Sequence, residues 1–286
     1  MKNVIVRSLS GLLYVALIVA AILLWPRWPI AMLALMTLFT ALGIEEVHNI
    51  CRSTMGERQP LLLTLLDVMG GVALLATIYL ACANRGVHHT MPLWSWTLLP
   101  AYVVARMVTQ LYLPRLNAVT SFARSFMSII YVAFPFSLLP VIASLGNTRL
   151  VLALFIFIWL NDTGAFVVGS LLGKHRLWER ISPKKSWEGV VGGLLFVLLG
   201  AWLIVRVFGD YFPGPTALWW WMALGAVVVV GATLGDLFES LLKRTAGVKD
   251  SGNIIPGHGG ILDRVDSLLL VSPLVLLFMI LTIIAR

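Results

Sequence analysis

Charge is what this 286-residue chain has least of. Asp, Glu, Lys and Arg make up 12% of it against 59% hydrophobic residues, and its mean hydropathy is +0.94. A soluble domain usually carries about twice that charged fraction, so there is too little polar surface here to cover a globule in water. Cysteine is nearly absent too. Cys51 and Cys82 stand far apart, with no CxxC pair and no metal-ligand spacing, which argues against a disulfide framework or a zinc site. No repeat, no low-complexity tract and no soluble domain is evident.

What the chain has in quantity is long apolar runs. Crossing the ~30 Å hydrocarbon core takes roughly 20 apolar residues per helix. The backbone there must be helical, because lipid offers no partner to a free amide. Nine apolar segments are legible, roughly 9–25, 29–44, 61–83, 93–113, 122–144, 149–172, 189–208, 217–242 and 266–285. The expected fold is therefore all-α, a polytopic integral membrane protein of about nine transmembrane helices. The first segment follows Lys2 and Arg7 as a signal peptide would; with eight more behind it, an uncleaved anchor is expected. Residues 1–145 read as helices with a packing, dimer or lipid-facing role. Residues 146–286 read as a catalytic region with polar loops at 173–188 and 243–266.

The net charge of +8 and the pI near 9.9 could suggest nucleic acid. The distribution points elsewhere. Nine spans put the N-terminus and the even-numbered loops on one side, and sixteen of the 21 basic residues fall there, counting Arg106 as a snorkelling side chain. That bias marks the side as cytoplasmic, in a plasma (inner) membrane, and no nucleic-acid partner is needed. Tryptophans gather at segment ends (Trp25, Trp28, Trp94, Trp96, Trp178, Trp187 and Trp219 to Trp221), as interfacial belts do; an aromatic substrate cage is the alternative.

Charge inside an apolar segment is expensive and usually functional. In the first half, Glu45, Glu46 and Asp67 lie near segment ends, where solvation accounts for them. In the second half Asp162 falls well inside FIFIWLNDTGAFVVG, where it needs a polar cavity or a basic structural partner. Gly164, Ala165, Gly169 and Ser170 offer a close helix-packing face. Next, GKHRLWERISPKKSWEG crowds seven charges into 174–188, five of them basic. Such a loop can be a topology signal or lipid anchor. Its core, Ser182-Pro183-Lys184-Lys185-Ser186, alternates hydroxyls and ammoniums in a Pro-fixed turn and suits an oligophosphate.

The strongest run is GDLFESLLKRTAGVKDSGNIIPGHGGILDRVDS, 235–267. Asp236, Ser240 and Lys243 or Arg244 recur at helical spacing, and Asp263 and Asp266 share a face three residues apart. Between them lie five glycines, a proline and His258. Glycines let amides approach phosphate, and carboxylates are the hard oxygen ligands magnesium takes. Clustered, ionised acids near a bilayer need a cation, so the pattern fits metal-assisted phosphoryl or nucleotidyl transfer. A salt-bridged loop closing two helices is the plainer alternative.

The strings Ser240-x-Leu-Lys243-Arg244-x4-Lys249-Asp250 and His258-Gly259-Gly260-x-x-Asp263-Arg264-x-Asp266 resemble the signature of phosphatidate cytidylyltransferases, or CDP-diacylglycerol synthases. Asp162-Thr163-Gly164-Ala165 and Ser182-Pro183-Lys184-Lys185-Ser186-Trp187-Glu188-Gly189 look like two further blocks of that family, in the same order. The match covers roughly 155–270; the N-terminal half agrees in hydropathy and length alone. Two departures are visible: the basic block ends in Ser186 where many members have Thr, and GIEEVHNI lacks the aromatic that follows the acid in many members.

The resemblance implies the reaction of CTP with phosphatidate to give CDP-diacylglycerol and pyrophosphate, a helical membrane fold and a homodimer. It implies a divalent cation, Mg²⁺ or Mn²⁺, and leaves room for a monovalent one. By the same resemblance Asp236 and Asp263 would ligate metal, with Ser240 adding an oxygen or holding one of them. Asp266, Asp250 and Asp162 would support them. Lys184, Lys185, Lys243, Arg244, Lys249 and Arg264 would bind phosphates, with Ser182, Ser186, Gly259 and Gly260 around them, and His258 would orient a phosphate, move a proton or donate a hydrogen bond. The alternatives are a CTP-dependent polyprenol or lipid-alcohol kinase, a paralogue acting on another lipid phosphate, and, from another class, a transporter. Transport would spread charge through both halves, whereas here it gathers at one face of one half.

Overall fold

Apolar sequence in a chain this poor in charge has one way to satisfy its backbone, and the computed structural model follows it: helix nearly throughout. The structure describes residues 2–56, 58–83, 93–212, 215, 217–254 and 259–284. Among them run α1 (Lys2–Leu24), α2 (Pro29–Met55), α3 (Leu61–Ala83), α4 (Leu98–Leu111), α5 (Ala118–Ser128), α6 (Phe134–Gly146), α7 (Thr148–Leu172), α8 (Trp187–Arg206), α9 (Leu218–Thr245) and α10 (Leu262–Ile284). A π-turn at Ile129–Ala133 joins α5 to α6 as one apolar span, Ala118–Gly146.

The fold is all-α and polytopic. Each of the nine apolar segments coincides with helix, and among the described residues seven helices are long and apolar enough to cross a membrane. In α1, 23 residues long, the apolar stretch among the described side chains runs Leu9–Leu24. Segment 93–113 divides into a 3₁₀ turn, Leu93–Thr97, and the 14-residue α4, which at 1.5 Å per residue rises only about 21 Å.

The chain divides into two compact units: Met1–Val141 with Leu242–Arg264, and Ile142–Leu241 with Val265–Arg286. Leu242–Arg264, from the last turn of α9 to the first residues of α10, groups with the N-terminal helices.

In the first unit, whose buried apolar residues include Ile44, Val47, Leu63 and Val132, a charged network centres on Asp67. Asp67 is fully buried and accepts hydrogen bonds from Ser125 Oγ at 2.7 Å, Gln59 Nε2 at 2.8 Å and Tyr102 Oη at 3.0 Å. Arg106 Nε and His48 Nε2 each approach it at 3.3 Å. Arg106 is only 2% exposed, donates to Ser121, Ser125 and Gln110, and stacks on Phe122. Asp67 is therefore not a solvated helix end and Arg106 does not snorkel. Pairing across helices compensates both charges where lipid or packed protein cannot.

In the second unit, α7 and α8 meet backbone to backbone. A Cβ at Gly164 would lie 2.6 Å from the Gly192 carbonyl oxygen, and one at Gly192 would collide with Val168 and lie 2.8 Å from the Gly164 carbonyl oxygen. Gly164 and Gly169 form the packing face expected of them, while Ala165 and Ser170 turn to a cavity. The basic loop is not a simple turn. Arg176–Trp178 (β1) and Ser182–Ser186 (β2) pair antiparallel, Arg176 opposite Ser186 and Trp178 opposite Ser182. Ser186 then caps α8, accepting from Gly189 N at 3.2 Å. Trp28, Trp96, Trp178, Trp187 and Trp219 are exposed as belt residues should be, whereas Trp25, Trp220 and Trp221 are core.

Two substitutions gauge these forces through unfolding in detergent. Gly192→Leu should cost about 3 kcal/mol or more by forcing α7 from α8. Gly56→Ala, at φ +73° with open space around it, should cost about 1 kcal/mol. Equal losses would contradict the close approach. Asp67→Asn should cost about 3–5 kcal/mol by stranding Arg106, and adding Arg106→Met should recover part of it. A loss no larger than that of Gly56→Ala would show that the buried pair carries no weight.

Candidate functional site

The second unit gathers the sequence motifs around one cavity of about 560 Å³, within the usual range for ligand sites. Asn161, Asp162, Ala165, Gly169 and Ser170 line it from α7, Arg176, Lys184, Lys185 and Ser186 from the hairpin, Gly189 and Val190 from α8, and Ala232, Thr233 and Asp236 from α9. The glycine contact of α7 with α8 brings Asp162 near the hairpin's root. The strand pairing, braced by His175 and Glu188 at 2.6 Å, turns the lysines inward. Lys185 Nζ lies 2.6 Å from Asp236 Oδ2 and donates to the Thr233 carbonyl at 3.4 Å. Lys184 and Arg176 are exposed at the same wall. Ser182, half-buried on β2, is not among the lining residues.

At one side stand three acids. One carboxylate oxygen from each of Asp236, Glu239 and Asp266 lies within 4.8 Å of the others, with Glu239 buried. Gly235 makes this possible: a Cβ there would lie 2.6 Å from the Asp266 carbonyl oxygen, so α9 and α10 close together at this level. Ser240 Oγ donates to Asp236 Oδ1 at 3.3 Å, and Asp162 and Lys185 lie within electrostatic range of Asp266. Three hard oxygens this close match a divalent cation's preferences. Glu239 was not singled out from sequence, although its position three residues after Asp236 places it on the same helical face.

The first unit holds the other acid of the string. Asp263 accepts from Lys243 Nζ at 2.5 Å, from Gly260 N at 2.8 Å, and from Ser251 N and Oγ at 3.0 and 3.1 Å. Its carboxylate is thus occupied by protein donors, and it is not a member of the three-acid group. Beside it Glu46, 2% exposed, accepts from Ser251 Oγ, Ile261 N and Leu262 N, each at 2.8 Å. Glu46 is no solvated helix end: it holds the loop and the first amides of α10, where a negative charge meets the helix dipole. Over 200 residues of chain separate it from these donors, so no local pattern announces the contact. The glycines are required here. Gly259 has φ +83°, and a Cβ on Gly260 would strike Ser251 Oγ and Glu46 Oε2. Arg244 donates to the Val248 carbonyl at 3.3 Å, and Lys249, Asp250 and Arg264 are exposed. His258 lies outside the described residues.

Comparison with known proteins bears on this arrangement. The family model described as "Cytidylyltransferase family" matches residues 5–282. A phosphatidate cytidylyltransferase of Staphylococcus saprophyticus is 47% identical over 148 residues, 52% of this chain and 55% of that one. One from Staphylococcus epidermidis is 44% identical over 156 residues, 54% and 58% of the two chains. One from Haemophilus influenzae is 44% identical over 124 residues, 43% of each. The chain spans about half the length of the curated relatives it matches. With the family match running through nearly all ten helices and the motif blocks gathered as described, the chain belongs to the cytidylyltransferase family.

Proposed function

We propose that this protein transfers the cytidylyl group of CTP to phosphatidate, forming CDP-diacylglycerol and releasing pyrophosphate. The observation that carries the reading is the cavity that brings Lys184, Lys185 and Arg176 together with Asp162 and Asp236, the last of which also belongs to the acid group Asp236, Glu239 and Asp266. The names of the relatives support the choice of nucleotide and lipid.

An oxygen of the phosphatidate phosphate attacks the α-phosphorus of CTP, the bond to the β-phosphate oxygen breaks, and pyrophosphate leaves with that bond's electrons. No nucleophilic side chain is needed. The difficulty is bringing two anions together, so catalysis consists of alignment and charge screening. Lys184 and Arg176, exposed on the hairpin, supply cationic donors for phosphate oxygens, and Lys185, anchored on Asp236, ties the hairpin to the acids. Mg²⁺ or Mn²⁺ fits Asp236, Glu239 and Asp266; when bound it neutralises charge on the oligophosphate. Asp263, held by Lys243, Ser251 and Gly260, keeps the loop ordered. Arg244, Lys249 and Arg264 are assigned to phosphate binding, with His258, Gly259 and Asp250 beside them in sequence. A monovalent cation and a homodimer belong to the same proposal. So does a plasma-membrane location with the site facing the cytoplasm, supported by the bias of basic residues toward one side.

The test is purified protein in detergent with phosphatidate micelles, Mg²⁺ and CTP labelled at the α- or the γ-phosphate. Label from the α-phosphate should enter the lipid phase, and Asp236→Asn should lower its rate by about 10³-fold. Lipid labelled only from the γ-phosphate would overturn the reading in favour of a kinase.

A further inference from the structure

The N-terminal unit carries a second polar pocket that the proposed chemistry does not use. It measures about 290 Å³ and lies where the C-terminal end of α2 meets the start of α3. That is at the lower bound of ligand-sized clefts, roughly 300 Å³: room for a headgroup rather than a nucleoside triphosphate.

Its polar atoms are arranged by the Asp67 network. Gln59 is 7% exposed and gives its Nε2 to Asp67 at 2.8 Å, which fixes the amide and leaves Oε1 over. His48 is 5% exposed with Nε2 3.3 Å from the same carboxylate. Among the described residues Gln59 Oε1 has no hydrogen-bond partner, although burying such an atom unsatisfied is costly. Gln59 therefore leaves the pocket an acceptor and asks for a donor. Arg52 and Arg58 line it as well, both exposed, and neither makes an ion pair with a described residue. The remaining wall is mixed: Glu45, Asn49 and Thr64 line it together with Pro60 and Leu61. Leu61 lines the pocket and is 72% exposed, and Leu62 and Leu65 are 56% and 51% exposed on α3, a helix long and apolar enough to span the bilayer.

We propose that this pocket binds the headgroup of a glycerophospholipid whose phosphodiester carries a hydroxyl or amine. Arg52 and Arg58 take the phosphate, the headgroup's donor satisfies Gln59 Oε1, and the acyl chains lie along Leu61, Leu62 and Leu65. The arginines, the Gln59 amide oxygen and the leucines are each matched by one part of such a lipid, and the exposed Glu45 is a further acceptor for the headgroup's donor. A soluble phosphate ester would leave the leucines bare, and a choline headgroup would bring no donor to the acceptors. The site would bind membrane lipid whether or not the chain is a cytidylyltransferase.

The experiment is native mass spectrometry of the purified full-length protein titrated with phosphatidylglycerol, phosphatidylcholine and glycerol 3-phosphate. Wild type should retain a first phosphatidylglycerol about tenfold more tightly than phosphatidylcholine. The Arg52→Gln/Arg58→Gln variant should bind both phospholipids about tenfold more weakly, as expected for removal of charge-assisted phosphate contacts. Both arginines are exposed, and an unchanged unfolding temperature would verify that the variant is folded. Equal retention of the two lipids by wild type, or unaltered retention by the variant, would overturn the proposal. Displacement of the lipid by equimolar glycerol 3-phosphate would overturn it too, by making this a site for soluble phosphate esters.

Discussion

A carboxylate removed from water beside a bilayer has to be compensated, and this constraint organises the molecule. Asp67 is balanced by Arg106 and His48, Asp263 by Lys243 and two backbone amides, and Glu46 by a hydroxyl and two amides at the start of α10. Each pairing joins elements distant in sequence, so compensation also decides which helices pack. Asp236, Glu239 and Asp266 differ. They are drawn to within 4.8 Å of one another with one lysine, Lys185, on Asp236. The proposed cation would offset this concentration of negative charge.

Glycine supplies the geometry. Where Gly164 faces Gly192, α7 and α8 come close enough for the cavity wall to form, and where Gly235 faces Asp266, α9 and α10 bring their acids together. Gly259 and Gly260 let the loop amides close on Asp263 and leave room for Glu46. A side chain at any of these positions would separate elements whose proximity is the site.

The legible part of this architecture was the local part. Hydropathy located every helix because a span is a run of adjacent residues, and the DTGA and SPKKS strings were visible because their chemistry is concentrated in a few positions. Three features were not legible. The fourth segment is equally apolar whether it is continuous α-helix or a 3₁₀ turn followed by 14 helical residues. The hairpin at 176–186 has no alternating apolar pattern; its pairing rests on backbone hydrogen bonds and on the His175–Glu188 brace. Glu46 and Arg106 have partners chosen by tertiary packing, and a charge near a segment end looks the same in sequence whether it meets water or a buried ion. Glu239 was within reach, since its spacing from Asp236 is helical.

The account stands most directly on the claim that Asp236, Glu239 and Asp266 form one cation site. Electron paramagnetic resonance of Mn²⁺ titrated into the purified protein tests it without reference to turnover. Glu239→Gln and Asp266→Asn should each weaken binding by about tenfold or more, while Asp263→Asn, whose carboxylate is already engaged by Lys243, should change it little. Unchanged binding in the first two variants, or a loss confined to Asp263→Asn, would contradict the account.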